Sequence, residues 1–308
     1  MKLRLDEPVK GAAIDPAALI ATRFLARHID VTRSTRALAH LAGAKRSARR
    51  GRGVEFDEVR QYAAGDDVRS IDWRVTARSG EPHTKLFHEE RERPVLVTLD
   101  LRKNMRFGSR NCFKSVLAAH TASALLWSAL ERGERIGAMT YAGTETFDVR
   151  PQRSRRSVLR FIGDIESATA HAANANSDMG FAEHLNQLQR IVRPGSSVFL
   201  ISDFHDALAP EAIENLRRLI RHVQVTAIAI SDPLEQQLPS AGRYVVSDEQ
   251  GRSSLDTGND TVRKQYEEEY QQSRNQLFKT LQSLRIPMIE LSTATAPLPT
   301  LQRYFPGR

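Results

Sequence analysis

Residues 94–100 read Pro-Val-Leu-Val-Thr-Leu-Asp, and residues 197–203 read Ser-Val-Phe-Leu-Ile-Ser-Asp. Each run is almost wholly apolar and closes on an aspartate. A strand with one wet face alternates apolar and polar residues. A continuous apolar run suits a central parallel strand buried on both faces. Between and after the two runs, strand and helix patterns alternate. A helix is predicted over about 112–132, closed by Gly133, and a strand over 135–141, with 146–151 as a short hairpin arm. Helices follow over 154–167, 180–192 and 210–222, with a strand over 223–230. A hairpin is predicted over 243–257, a long charged helix over about 259–285 and a last strand over 287–291. This alternation predicts an α/β fold, a mostly parallel sheet with helices on both faces.

Upstream the pattern is different. Asp15 can cap a helix and Pro16 suits its first turn, so one helix is predicted from Asp15 to about Leu41, with Thr32 to Thr35 as a possible interruption and Gly43 as its end. Then acids and arginines crowd together over residues 51–80, with Phe56, Tyr62, Ile71 and Trp73 woven between them. A disordered charged tail would lack these aromatics and the Ala-Ala-Gly-Asp-Asp turn. The block reads as a folded, partly β unit held by paired ions, with strand features at 83–90. The expected organisation is therefore 1–92 for the N-terminal helix plus the charged segment, 93–295 for the sheet domain and 296–308 for an irregular, proline-containing tail.

Lys plus Arg number 45 against 37 acids, a formal net charge of +8. That balance permits nucleic-acid binding, most plausibly through Lys45–Arg52, but the charges are mixed and nucleic acid is not the expected partner. The single cysteine, Cys112, excludes an internal disulfide and fits a reducing cytoplasm. No apolar run reaches the length needed to span a bilayer, so a cytoplasmic protein with no membrane insertion is expected. Phosphate-loop, HExxH and GxSxG signatures are missing, and no base is placed to activate Ser202.

Ligands of an open α/β sheet bind at the carboxyl ends of its strands. Asp100 and Asp203 both fall there, which outlines a hard-cation site. The competing reading is that Asp100 caps a loop and Asp203 the following helix.

The opening Gly-Arg-Gly-Val-Glu-Phe at 51–56, the run GDDVRSIDWRVTARSG at 65–80 and EERERPVLVTLD at 89–100 resemble the family catalogued as domain of unknown function 58. The resemblance is tight over about 40–205 and general elsewhere. It implies a von Willebrand factor A-like domain preceded by the charged block. It also implies a partnership with a MoxR-type AAA+ ATPase in the assembly or maturation of other proteins, with an unknown client. Such domains carry a metal-ion-dependent adhesion site whose first loop is Asp-x-Ser-x-Ser. Here Asp100 is retained, but Arg102 and Asn104 replace the serines; Asp203 matches the later aspartate and Ser177 is a guess for the threonine. Arginine is a cation and no acceptor. Arg102 is therefore expected to fold toward Asp100 or Asp203 and replace the metal. In the alternative, it points outward and Asn104 with the two aspartates keeps weak Mg²⁺ affinity.

The leading expectation is a non-enzymatic adaptor that needs no cofactor and binds through the strand-end face. Arg102, with Asp66, Asp67, Arg69, Asp72, Trp73, Arg74 and Arg78 of the charged block, are the expected partner-binding residues. A nucleic-acid-binding protein and a metal-dependent hydrolase are the alternatives.

Overall fold

The computed structural model describes residues 7–32, 38, 41–42, 56–63, 71–87, 93–174, 179–240, 242–247 and 252–307. The chain divides into two compact units, Ser47–Arg93 and a larger one made of Met1–Arg46 with Pro94–Arg308. The N-terminal segment, expected to belong with the charged block, is thus part of the sheet unit. Leu19, Leu25, Ala26 and Ile29 lie in the same apolar cluster as the central strands, which explains the division.

The smaller unit is built on a hairpin of β1 (Phe56–Gln61) and β2 (His83–Phe87), paired antiparallel. Further helices and strands are numbered along the chain. Those of the N-terminus are α1 (Pro16–Ala21) and α2 (Arg23–Ala26), and the charged unit adds α3 (Trp73–Ser79). Asp72 caps α3 by accepting from the Arg74 and Val75 amides at 3.0 and 3.3 Å. Gly80, at φ +78°, ends it with a bond from its N–H to Thr76 O, a conformation that favours glycine. Val75 and Thr76 are half-buried, while Trp73, Arg74, Ala77 and Arg78 point outward. Asp66, Asp67, Arg69 and the basic run Lys45–Arg52 lie outside the described residues.

The larger unit carries a six-stranded sheet. Its members are β3 (Val95–Asp100), β4 (Ile136–Ala142), β5 (Glu145–Gln152), β6 (Ser197–Ser202), β7 (Gln224–Ser231) and β10 (Met288–Ser292). The order across it is β10-β7-β6-β3-β4-β5, parallel throughout except for β5 against β4. Counted from β3, this is the doubly wound order, and it reverses direction between β3 and β6. A separate hairpin pairs β8 (Arg243–Ser247) with β9 (Arg252–Asp256).

Strand geometry sends alternate side chains to opposite faces. Val95, Val97 and Leu99 join Phe199, Ile201, Ile228 and Ile230 in one core cluster. Leu96 joins Val198, Leu200, Ala227 and Ala229 in the other. Helices α4 (Lys114–Glu131) and α5 (Arg155–Asn174) cover the first face. Helices α6 (Phe181–Ile191), α7 (Pro210–Leu219) and the end of α9 (Asp260–Ser283) cover the second; the one-turn α8 (Pro233–Gln236) follows β7. Both faces being covered is why the diagnostic strands carry no polar alternation.

Two expected elements take another form. The helix predicted over 15–41 is broken: α1 and α2 are short, and Ile29 bridges to Pro306. Thr22 Oγ donates to Leu19 O at 2.7 Å, and Asp30 accepts from the amide and hydroxyl of Thr32, local bonds that compete with helix continuation. The tail expected to be irregular contains α10 (Pro297–Tyr304). Pro297 and Pro299 stand in its first turn, where no N–H is needed, and Pro297, Leu298 and Leu301 are buried. The prolines start this helix instead of preventing it.

Candidate functional site

Three neighbouring strands of the sheet end on carboxylates. β3 ends at Asp100, β6 runs into Asp203 and β7 into Asp232. The first two flank the switch point between β3 and β6, so the doubly wound order itself brings them together. Every one of these acids is occupied by donors from the same chain.

Asp100 is fully buried and accepts five hydrogen bonds from two residues, Arg102 and Ser202. The Arg102 amide donates at 2.9 Å, Arg102 Nε at 3.1 and 3.2 Å, Arg102 Nη2 at 2.9 Å and Ser202 Oγ at 2.6 Å. The other edge of the same guanidinium is forked onto Asp206, with Nη1 and Nη2 at 2.8 and 3.0 Å, and Nη1 also reaches Met179 O at 3.3 Å. Arg102 is only 2% exposed. Its planar fork matches two carboxylates at once, which lysine could not do. It also lies over the Tyr141 ring at 5.3 Å, and His184 stacks on the same tyrosine at 3.7 Å between ring centroids. His184 is completely buried, and neither ring nitrogen has a hydrogen-bond partner among the described residues. Burial, with the nearby Arg102 charge, pushes its pKa down to about 3.

Asp203 has a different cation. Lys114 Nζ donates to it at 2.8 Å and also pairs with Glu235. Lys114 stands in the first turn of α4, where the helix dipole disfavours positive charge; the two acids offset that cost. Asn104 Nδ2 donates to Asp203 at 2.5 Å and His205 Nδ1 lies 3.2 Å from it. Burial would raise the Asp203 carboxyl, but hydrogen bonds from His205 and Lys114 reverse this and hold it well below the usual range. The hydrogen bond to Asp203 raises the His205 pKa in turn. Asp232 accepts from the Ser109 amide at 2.8 Å, from the hydroxyls of Ser109 and Thr293 and from the Leu234 amide, and caps α8 with Glu235.

Of the residues expected here, Asp100, Arg102, Asn104 and Asp203 do converge. Arg102 folds onto Asp100, one of the two partners expected for it; its second carboxylate is Asp206, and Lys114 holds Asp203. The sequence reading placed Asp206 on the strand-end face without its pairing, and it missed Lys114 and Glu235 at this site. A charged lysine at the head of an apolar helix was the available signal, because such a residue needs acids close by. The residues present do not fit a divalent cation. The Asp100 oxygens face a guanidinium, the Asp203 oxygens face an ammonium, and Asn104 turns its nitrogen inward. Among the described residues no group of three or more His, Cys, Asp and Glu side chains is arranged to hold a metal. Ser177 lies outside the described residues. Cys112 is buried and its thiol is pushed up to about 11 by burial and by Asp232, which makes it a poor nucleophile.

The remaining expected residues lie in the charged unit. Asp72 is buried and spent on capping, whereas Trp73 is 68% exposed and Arg74 and Arg78 are exposed beside it.

Fold and site together define a doubly wound α/β protein with a buried ion network at its switch point. The family described as protein of unknown function DUF58 matches residues 58–276, and the chain belongs to that family. The uncharacterised protein Rv1480 of Mycobacterium tuberculosis is 28% identical over 260 residues, covering 84% of this chain and 80% of the relative. Among solved structures, the conserved hypothetical protein BatB from Bacteroides thetaiotaomicron superposes with a TM-score of 0.37 at 14% identity, over 62% of this chain and 98% of that one. A von Willebrand factor type A protein from Catenulispora acidiphila gives a TM-score of 0.35 at 13% identity, over 47% and 34%. No helix among the described residues is long and apolar enough to cross a membrane.

Proposed function

We propose that the chain is a non-enzymatic adaptor, working with a MoxR-type AAA+ ATPase on a client protein, and that the strand-end face is its docking surface. The observation that supports this is the state of the switch-point carboxylates. Arg102 and Lys114 consume them, so the position where such folds do chemistry or hold an ion is a rigid internal network. What remains outside is a fixed rim: His205, half-exposed, the outer edges of Asp206 and Glu235, and Phe107 on the loop after β3. A preorganised polar rim with an exposed aromatic suits protein recognition, where ordering costs are small. The ATPase partner comes from the family resemblance.

The experiment is co-purification of the full chain with a MoxR-type ATPase from the same organism, with and without ATP. A nucleotide-dependent complex is expected, lost in a Phe107→Glu variant that keeps the wild-type melting temperature. A complex indifferent to that variant moves the docking surface elsewhere, and no complex in any nucleotide state removes the adaptor reading.

A further inference from the structure

Residues 150–160 read Arg-Pro-Gln-Arg-Ser-Arg-Arg-Ser-Val-Leu-Arg, and all five arginines are exposed. They cover the end of β5 and the start of α5. β5 is the last strand of the sheet, and Gln152 pairs with Ile136 at the beginning of β4. The patch therefore sits at the amino-terminal end of the parallel strands, opposite the strand-end face. Within residues 148–164 the only acids are Asp148 and Asp164, so the five arginines leave a surplus of three positive charges. Arg160 stands 3.8 Å from Asp164 across one helical turn. A cavity of about 350 Å³ opens among Arg150, Arg156 and Arg160, with Ser157 and Asp148 on its wall.

We infer that this patch is a second docking site, independent of the strand-end reading, for an acidic protein segment carrying apolar side chains. Guanidinium forks take carboxylates bidentately, and the exposed Arg150, Arg155 and Arg156 together select an anion. Three features favour a peptide over a nucleic acid. Leu159, 47% exposed, lies between Arg155, Arg156 and Arg160 on the open face of α5, an apolar contact that a phosphodiester backbone does not use. Asp148 on the cavity wall can accept a backbone N–H, a donor that a peptide carries and a phosphodiester backbone lacks. No large aromatic among the described residues is exposed within residues 145–164 to stack a base. Charged side chains also protect an open strand edge from chance pairing. That role accounts for Arg150 on β5 and leaves the arginines and the leucine of α5 unexplained.

The test is fluorescence anisotropy of the full chain with a labelled peptide of repeated Glu-Glu-Leu, alongside a labelled DNA duplex. Because the substituted side chains are exposed, the variants should keep the wild-type melting temperature. The expected result is peptide binding that weakens about tenfold or more in Arg150→Glu, Arg156→Glu and about threefold in Leu159→Ser, as loss of paired charge and of one apolar anchor predicts. Arg217→Glu, Arg218→Glu on α7 should leave it unchanged. The inference falls if the duplex binds more tightly than the peptide, if the two patch variants bind like wild type, or if the peptide does not bind at low salt.

Discussion

The two ends of one sheet treat arginine in opposite ways. At the carboxyl end Arg102 is 2% exposed and both edges of its guanidinium are spent on Asp100 and Asp206. At the amino end Arg150, Arg155 and Arg156 are exposed on the surface. A buried charge is tolerable only with its counter-charges in place, so the first arginine is bound to the stability of the fold. An exposed one contributes little to folding and is available to a partner. The same side chain thus acts as a fastener at one rim and as a contact at the other, and burial decides which.

The comparison breaks most sharply at Arg102. Arg102→Met keeps an unbranched stem but removes the guanidinium, and leaves Asp100 buried without its cation. The expected loss is about 3–5 kcal/mol, read as a shift of the urea midpoint. Adding Asp100→Asn should restore part of it, because the uncompensated charge disappears while Asp206, 28% exposed, can be hydrated. An Arg102→Met protein as stable as wild type would mean that the network is not the fastener described above.

His184 sharpens the same contrast through pH. Its folded pKa is about 3, against about 6.5 in the unfolded chain. Between those values the unfolded state binds the extra proton, so stability falls as pH falls from about 6.5 toward 3. One pKa unit is worth about 1.4 kcal/mol, giving an acid loss of roughly 5 kcal/mol from this ring. Asp203 and Asp206, both held below the usual carboxylate range, extend the loss at lower pH, where their protonation removes the partners of Lys114 and Arg102. His184→Phe preserves the stack on Tyr141 and should flatten the limb between pH 6.5 and 4 in chemical denaturation; an unchanged slope there would assign the acid sensitivity to other groups.

Asp72 stands between the two cases. It is buried, and it caps α3. Asp72→Ala should cost the charged unit about 1 kcal/mol, while Asp72→Asn or Ser should recover most of it. Amide hydrogen exchange over residues 73–79 would report the fraying directly.

The sequence was informative where a pattern had one physical solution. The runs at 95–100 and 197–202 can be buried on both faces only in the middle of a covered sheet, and their terminal acids had to meet at the switch point. Arg102 beside Asp100 also announced its pairing, since a guanidinium two residues from a buried carboxylate has few other places to go. What stayed hidden depended on competition across the fold. Whether Arg102 takes Asp203 or Asp206 is decided by Lys114, which claims Asp203 from a helix 89 positions earlier in the chain. The break after Ala21 turns on single hydrogen bonds of Thr22 and Asp30, weak against a helical periodicity that continues to Leu41. Pro297 and Pro299 mean opposite things at a helix start and inside a loop, and only the packing of Leu298 and Leu301 chooses.

The smallest expected effect is the most discriminating, because it comes from the largest number of charges. Arg150→Ala, Arg155→Ala and Arg156→Ala each remove a full positive charge from the amino-end rim, as Arg102→Met does from the other. For exposed side chains without a buried partner, the change in stability should stay within about 0.5 kcal/mol. Arg160→Ala removes the pair with Asp164 across one helical turn and should cost about 0.3–0.5 kcal/mol, a loss that salt screens away. Thermal melts of these four variants at low and high salt therefore measure the contrast itself. If any of them approaches the cost of Arg102→Met, the amino-end arginines are fasteners too and the patch is part of the fold. If all stay near wild type, folding does not require this cluster of charge, and a binding partner becomes the remaining physical reason for keeping it.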